Sequence, residues 1–532
     1  MTTRQRWTLV ATIIGSGIVF LDGTIVTVAL PRIGRDLPAS IIGILEGQNY
    51  VVSGYFAILA ALLILAGALS DHYGRRRVFA IGLGSFGATS VLCGLAPTLE
   101  LLVVFRLLQG AAGAFLVPGS LSIITQAFEG PARARAFGIW AAATSALVVL
   151  GPIVGGTLVD TIGWRFGFLV NAPLVLVALV AARQIEESRD VEEGRHFDWL
   201  GSLVATLAVG GLAFGAIRGQ ETEWRDTVGW ASLGIGAVAL AAFPVLMARR
   251  AHPLVPLGLF RSRAFATINL TTFFVYGALY ISQANQGLFF QNVLGYTATA
   301  AGAAALPVGI LLTVLSTRVG TLAGRIGSRP FLVAGPLVMA AGLAWLVRIP
   351  VASAAWDLAL DRPGSYVPPT DVLVDVLPAM LLFGVGISLL VAPLTSTLMN
   401  SIPSRRAGLG SAINNAISRV GAPLVGALIF IAISATFYSV LGSISGLDTS
   451  SGDVRQAFQP LNIPLGDPPP EQLAAARQAS VDAFRQAMLV SAGLLVIGAV
   501  VSWFGLRGST AAGEAPVEEG RVVEPVPAAG TD

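Results

Sequence analysis

Apolar residues run along this chain in blocks of about 20, separated by short polar pieces, and that is the length a helix needs to cross roughly 30 Å of hydrocarbon. Fourteen blocks are read: 8–30, 47–69, 78–96, 100–125, 136–159, 164–183, 199–217, 228–247, 266–290, 298–322, 331–348, 377–399, 408–438 and 487–506. The pattern predicts an all-α integral membrane protein. Two long polar segments, 349–376 and 439–486, interrupt the later blocks and are expected to cap the outer mouth. The second holds Pro468, Pro469 and Pro470, then a helix-like stretch from Glu471 to Met488. Beyond Gly508 the chain has no apolar period, so 509–532 is expected to be a disordered cytoplasmic tail.

Composition supports this reading. Charged residues make up 12% of the chain, against roughly 25% in a soluble domain, which excludes an ordinary cytoplasmic enzyme. The chain has no lysine, so all 33 basic residues are arginine, and neither a P-loop lysine nor a Schiff base is available. Cys93 has no disulfide partner, and His72, His196 and His252 are scattered, so no metal centre is expected. The net charge of +3 does not point to nucleic acid, because the arginines cluster between apolar blocks rather than on one soluble face.

Their placement reports topology instead. With both termini inside, twenty arginines fall on the cytoplasmic side, among them Arg4, Arg6, Arg75, Arg76, Arg77, Arg189, Arg195, Arg405, Arg406 and Arg521. Ten fall outside, and Arg106, Arg318 and Arg419 lie within spans. That bias favours cytoplasmic termini, with the first block an uncleaved span. The arginines at the inner mouth also suit contact with anionic membrane lipids.

The chain repeats itself. Gly67-Ala68-Leu69-Ser70-Asp71-His72-Tyr73-Gly74-Arg75-Arg76 returns in degraded form from Gly320 to Arg329, 253 residues on. Pro152-Ile153-Val154-Gly155 returns as Pro423-Leu424-Val425-Gly426, 271 residues on. Two homologous six-span halves with two inserted spans account for both offsets. The expected divisions are 1–190 for the first bundle, 191–250 for the insertion and its linker, 251–508 for the second bundle and 509–532 for the tail.

Polar groups in hydrocarbon are expensive and are the first functional candidates. Asp22 lies nine residues before Pro31 and fifteen after Trp7, about 13 Å and 22 Å from the two ends of its span. Arg106 lies at comparable depth, so the two are expected to pair. A carboxylate buried in one state and open in the other suits proton coupling. A fixed ion pair holding two spans together is the alternative. In the Gly67 to Arg77 loop, Asp71 is expected near the N-terminus of the following helix, beside Arg75 and Arg76, in a contact that forms in one conformation and breaks in another. Gly74 allows the tight turn. Gly151-Pro152-Ile153-Val154-Gly155-Gly156 combines a weakened helix ladder with close helix contact, so a bend or hinge is expected there. Gly82-Leu83-Gly84-Ser85-Phe86-Gly87 matches a dinucleotide fingerprint, but no strand precedes it and it lies in an apolar helix.

Together these residues, with Leu21 to Pro31, Arg106-Leu107-Leu108-Gln109-Gly110, Trp164-Arg165-Phe166, Phe197-Asp198-Trp199-Leu200-Gly201 and Leu259 to Arg263, resemble the fourteen-span drug:proton antiporters of the major facilitator superfamily, the EmrB/QacA type. The resemblance runs from about residue 7 to 506. It implies two pseudo-symmetric six-helix bundles plus two inserted helices, working by alternating access in the cell membrane. It also implies export of an amphipathic small molecule driven by a proton gradient, with no other cofactor. Asp22 and Arg106 would then serve proton coupling, Gly67, Asp71, Gly74, Arg75 and Arg76 the conformational switch, and Gly151, Pro152, Gly155 and Gly156 the antiporter motif. An accessory periplasmic protein is compatible with it. Two positions depart from the pattern: Thr27 replaces an asparagine, and Gly324 stands where the second loop's acid would be.

Few further acids lie in the spans, which argues against a strictly dicationic substrate. Glu46, Gln283, Asn285, Gln286, Asn414 and Asn415 are candidates to line an adaptable cavity, although hydrogen bonds between packed helices explain the amides equally well. A lipid or lipid-precursor translocator is the second reading. A membrane enzyme would need a nucleophile and base converging at one depth, and the spans offer no histidine for it.

Overall fold

The computed structural model describes residues 1–38, 44–188, 197–221, 224–359, 362–403 and 406–507. Arg189, Arg195, His196, Arg405, Arg521 and the tail 509–532 lie outside the described residues, as does the side chain of Glu46. Hydrocarbon offers no hydrogen bonds, so each crossing segment must satisfy its own backbone, and helix is the only regular structure among the described residues.

The helices are α1 (Thr3–Asp36), α2 (Ile44–Tyr73), α3 (Arg75–Gly94), α4 (Leu99–Gly113), α5 (Leu116–Ala127), α6 (Gly130–Thr161), α7 (Arg165–Leu169), α8 (Asn171–Ala182) and α9 (Trp199–Glu221). They continue with α10 (Thr227–Arg249), α11 (Arg263–Leu288), α12 (Ala298–Ile326), α13 (Arg329–Leu346), α14 (Leu377–Asn400), α15 (Ala407–Ser445), α16 (Gly452–Ala457) and α17 (Pro470–Gly505). Among the described residues, 13 helical segments are long and apolar enough to cross a bilayer, with α4 and α5 forming one and α7 and α8 another. The 32-residue α6 supplies the remaining crossing, in the expected order.

The halves repeat in their packing as well as their sequence. In the first, α1 lies against α6 and α8, α2 against α4, and α3 against α4 and α8. In the second, α11 lies against α15 and α17, α12 against α14, and α13 against α14 and α17. Two seams join the bundles, α2 with α15 and α6 with α12. The inserted α9 packs on both α2 and α15, covering one seam, while α10 packs mainly on α9.

Close approach of α9 and α10 depends on Gly211 and Gly215. A Cβ at Gly211 would lie 2.8 Å from the Ser232 carbonyl oxygen, and one at Gly215 would lie 2.7 Å from the Leu233 nitrogen. At the end of this hairpin Asp226 accepts from Arg218 Nε at 2.6 Å and from the Val228 N–H at 3.2 Å. The Arg218 hydrogen bond holds the Asp226 carboxyl below the usual carboxylate range. Asp198 caps α9 by accepting from the Gly201 N–H at 2.9 Å and ties down the linker through the Leu254 N–H at 3.1 Å.

Close contacts between the bundles gather on the face where α1 begins and α17 ends, called here the terminal face. Gly67 abuts Gly408, and a Cβ at Gly320 would lie 3.2 Å from the Ala134 carbonyl oxygen. Arg133 Nη1 donates to Asn400 Oδ1 at 3.4 Å.

One boundary differs from expectation. The stretch from Glu471 to Met488 is continuous with the last span, making α17 a single helix of 36 residues. Its buried face of Ala475, Ala476, Ala479, Ala483, Phe484 and Ala487 explains the continuity, because protein rather than lipid covers the apolar side. Phe484 stacks on Phe289 with ring centroids 3.8 Å apart. Arg477 and Arg485 donate to the carbonyls of Ser353 and Ile349 at 3.1 and 2.9 Å, so this extension holds the 349–376 segment.

Candidate functional site

Asp22 in α1 and Arg106 in α4 are both fully buried, and Arg106 Nη1 donates to Asp22 Oδ2 at 2.5 Å. The expected pair is present. Around it is a shell of amides: Gln109 Nε2 and Asn171 Nδ2 each donate to Asp22 Oδ1 at 3.1 Å, and Gln109 Oε1 accepts from Arg106 at 2.8 Å. Asn171 also donates to Ser90 Oγ at 3.0 Å. Arg106 reaches α2 as well, donating from Nε to the Val51 carbonyl at 3.0 Å and lying 4.0 Å from the centroid of the Tyr55 ring.

Three helices, α1, α4 and α8, thus meet at one carboxylate, with α2 and α3 completing the cluster. Sequence reading missed Tyr55, Ser90 and Asn171. Gln109 was visible only as a neighbour of Arg106, three residues on and so on the same helix face. The signal for Asn171 was present, as an amide at the start of a wholly apolar α8. The shell is incomplete: Arg106 Nη2, the Tyr55 hydroxyl and Asn171 Oδ1 are buried with no hydrogen-bond partner. Buried polar atoms of this kind suit transient water or a moving proton.

The switch loop lies at the other end of α2. Asp71 Oδ1 accepts from Arg75 Nε at 2.9 Å, from Ser122 Oγ at 3.4 Å and from the Gly408 N–H at 3.2 Å, while Oδ2 accepts from the Leu409 N–H at 2.8 Å. This corrects one expectation. Asp71 does not serve the N-terminus of α3, the helix that follows it; it caps α15, in the opposite bundle. Arg406, at the start of α15, makes no side-chain cap, so the carboxylate from across the seam fills the vacancy. Glu187 takes the local role, accepting from the Arg76 and Arg77 N–H groups at 3.1 Å each. Gly74, with φ of 109°, brings the turn against that carboxylate.

Among the described residues the degraded copy lacks a latch. Gly324 faces only the Ala134 Cβ, and Glu129 before α6 makes no side-chain cap. Among the described residues the acidic bridge therefore crosses the α2–α15 seam and not the α6–α12 seam. Thr27 donates to the Gly23 carbonyl of its own helix at 2.9 Å, so its hydroxyl is used locally.

These fourteen crossings, doubled bundles and cross-bundle latch can be compared with known proteins. A family model for the Major Facilitator Superfamily matches residues 12–445. The chain belongs to the major facilitator superfamily. It is similar to the multidrug resistance protein Stp of Mycobacterium tuberculosis, 35% identical over 450 residues, which cover 84% of this chain and 76% of that protein. It is also similar to the puromycin resistance protein pur8 of Streptomyces alboniger, 31% identical over 433 residues, covering 80% and 81% of the two chains. The solved proton:xylose symporter XylE shares the fold, with a TM-score of 0.58 at 14% identity over 96% of this chain and 97% of that one. As a major facilitator chain it is a multi-pass membrane transporter.

In this facilitator the glycine motif of α6 provides contact with α1. A Cβ on Gly151 would overlap Thr24 Oγ1, and one on Gly155 would lie 3.0 Å from Ile25 Cα, so α6 rests against α1 two to three residues past Asp22. The expected hinge does not interrupt the helix, since α6 is continuous through Pro152 and Gly156, whose surroundings lie outside the described residues. Gly151→Ala is expected to push α6 off α1, costing about 1–3 kcal/mol and lowering export, with part of the loss recovered by adding Thr24→Ala. Thermal unfolding of the purified variants checks it. An unchanged unfolding temperature would refute the contact.

The dinucleotide-like glycines are also packing positions. A Cβ at Gly82 would lie 2.8 Å from Phe115 Cβ, and one at Gly87 2.9 Å from Val175 Cγ1. Among the cavity candidates, Asn414 donates to Asn269 Oδ1 at 3.1 Å and to Thr272 Oγ1 at 2.8 Å, which joins α15 to α11. Asn415 is half-buried and bonds the Ser411 carbonyl of its own helix at 2.9 Å. Gln283 is exposed, Gln286 is buried, and Asn285 keeps an unpartnered buried Nδ2.

Proposed function

We propose that this transporter exports drugs or other amphipathic small molecules across the cytoplasmic membrane in exchange for protons. The observation that carries the reading is the buried Asp22–Arg106 pair, tied through α2 to the Asp71 latch. The printed names of the relatives, multidrug resistance and puromycin resistance, support efflux as the direction and drugs as the class.

The coupling follows from charge. A proton on Asp22 would leave Arg106 as a buried cation without its counterion, and breaking a buried pair in this way costs about 3–5 kcal/mol. Arg106 also grips Val51 and Tyr55, so its relaxation acts directly on α2. Asp71 lies 16 residues further along α2, about 24 Å away, and a continuous helix carries displacement over that distance. Movement of α2 then withdraws the carboxylate from the α15 N-terminus, opening the terminal face. With the terminal face on the cytoplasmic side, as the arginine bias supports, the Asp71 latch seals the inner entrance in the described conformation.

The test is uphill export of fluorescent amphipathic dyes by cells or energised inverted vesicles, with and without a protonophore, comparing the parent with Asp22→Asn. Both treatments are expected to lower the rate by at least about tenfold, while dye binding to the purified variant persists. Full-rate, gradient-dependent export by Asp22→Asn would remove Asp22 from the proton path.

A further inference from the structure

We propose that Arg419 is the anchor for an anionic group on the transported molecule, so that this protein handles amphipathic monoanions, an aromatic or alkyl body bearing one carboxylate, sulfonate or phenolate. The inference rests on the transport reading above and narrows its substrate class. Arg419 lies 12 residues into α15, about 18 Å from that helix's start and so near mid-membrane. Of the other arginines within spans, Arg106 is paired with Asp22 and Arg318 is exposed on the outside of α12. No carboxylate within ion-pair distance of Arg419 is found among the described residues. Its contact is instead with an aromatic ring of the opposite bundle, its guanidinium carbon lying 5.4 Å from the centroid of Phe56.

That contact fixes where the charge points. Phe56 packs on Gly23, next to Asp22, where a Cβ would lie 3.1 Å from its ring, and it meets the Tyr55 ring edge-on at 5.1 Å. Arg419 therefore faces the space between the bundles, beside the proton site, and not lipid. It is half-buried, and Asn415 lies one turn nearer the terminal face on the same side of α15. A cation in hydrocarbon is expensive unless it is paired or serves a pathway, and here the aromatic rings provide a platform for an apolar body while the guanidinium provides a fork for its anionic head.

The experiment uses the purified full chain in nanodiscs of zwitterionic lipid, with protein-free discs subtracted. The probes are 1-anilinonaphthalene-8-sulfonate and N-phenyl-1-naphthylamine, one ring system with and without a sulfonate. The anionic probe is expected to bind at least about tenfold more tightly than the neutral one, with Arg419→Gln removing the difference and Arg419→Lys keeping most of it. Equal affinities in the parent, or an equal effect of Arg419→Gln on both probes, would overturn the proposal. Adding phosphatidylglycerol to the discs separates two sources of the same chemistry: competition assigns the site to a lipid anion, and undiminished binding to a soluble amphiphile. Export that depends on Asp22 in a protein showing no preference for the anion would sink this inference alone. Anion preference in a protein whose export ignores Asp22 would sink the coupling reading and leave the site.

Discussion

Asp71→Ala is expected to open the terminal face. The substitution removes two accepted N–H bonds at the start of α15 and takes the Asp71 carboxylate from Arg75, which is 2% exposed. Charge-assisted caps and buried pairs of this kind contribute about 3 kcal/mol to the state that holds them, so the balance between sealed and open terminal faces should move by roughly 150-fold. Spin labels at Arg77 and Arg325, both exposed and on opposite bundles, would report this in a Cys93→Ser background as a change from one short distance to a longer, broader distribution. An unchanged short distance would show that the seam closes by packing alone, with Gly67 against Gly408 sufficient. Glu187→Gln is the matched control, because Glu187 caps α3 within its own bundle.

Arg106→Met should be the more severe lesion for stability. It leaves Asp22 fully buried with only Gln109 and Asn171 as donors and strips α2 of the bonds at Val51 and Tyr55. A loss of about 3–5 kcal/mol is expected, together with loss of export. The diagnostic is the double variant Asp22→Asn with Arg106→Met. Because both single substitutions strand a charge and the double strands none, the double should unfold at a higher temperature than Arg106→Met alone. Additive losses would mean that the two side chains act independently, and the coupling argument through α2 would fail with them.

Much of this architecture was legible in the chain because the bilayer is a demanding solvent. Crossing it requires about 20 apolar residues in helical form, so block length alone yields the number and order of spans. The 253- and 271-residue repeats then announce two bundles, and the helix pairings follow them. The Asp22–Arg106 pair was legible for the same reason, since two opposite charges at one depth in hydrocarbon have few alternatives to each other. The end of α17 was misread as separate from its span because the polar face of 471–488 hid an alanine-rich face that only neighbouring helices cover.

By itself, the sequence determined the solvent, the number of crossings, the doubling of the halves and the identity of the buried charges, all of which are consequences of local composition and spacing. Only the tertiary structure decided which partner each charge meets. Asp71 stands three residues before Gly74 and was read as serving the adjacent helix, yet its carboxylate caps α15, 337 positions away in the case of Gly408. Arg419 looks like any intramembrane arginine until it is placed beside Phe56 and the neighbouring Asp22 is found committed to Arg106. Helix formation is local and periodic, but capping and ion pairing act across a seam whose register depends on the packing of two whole bundles.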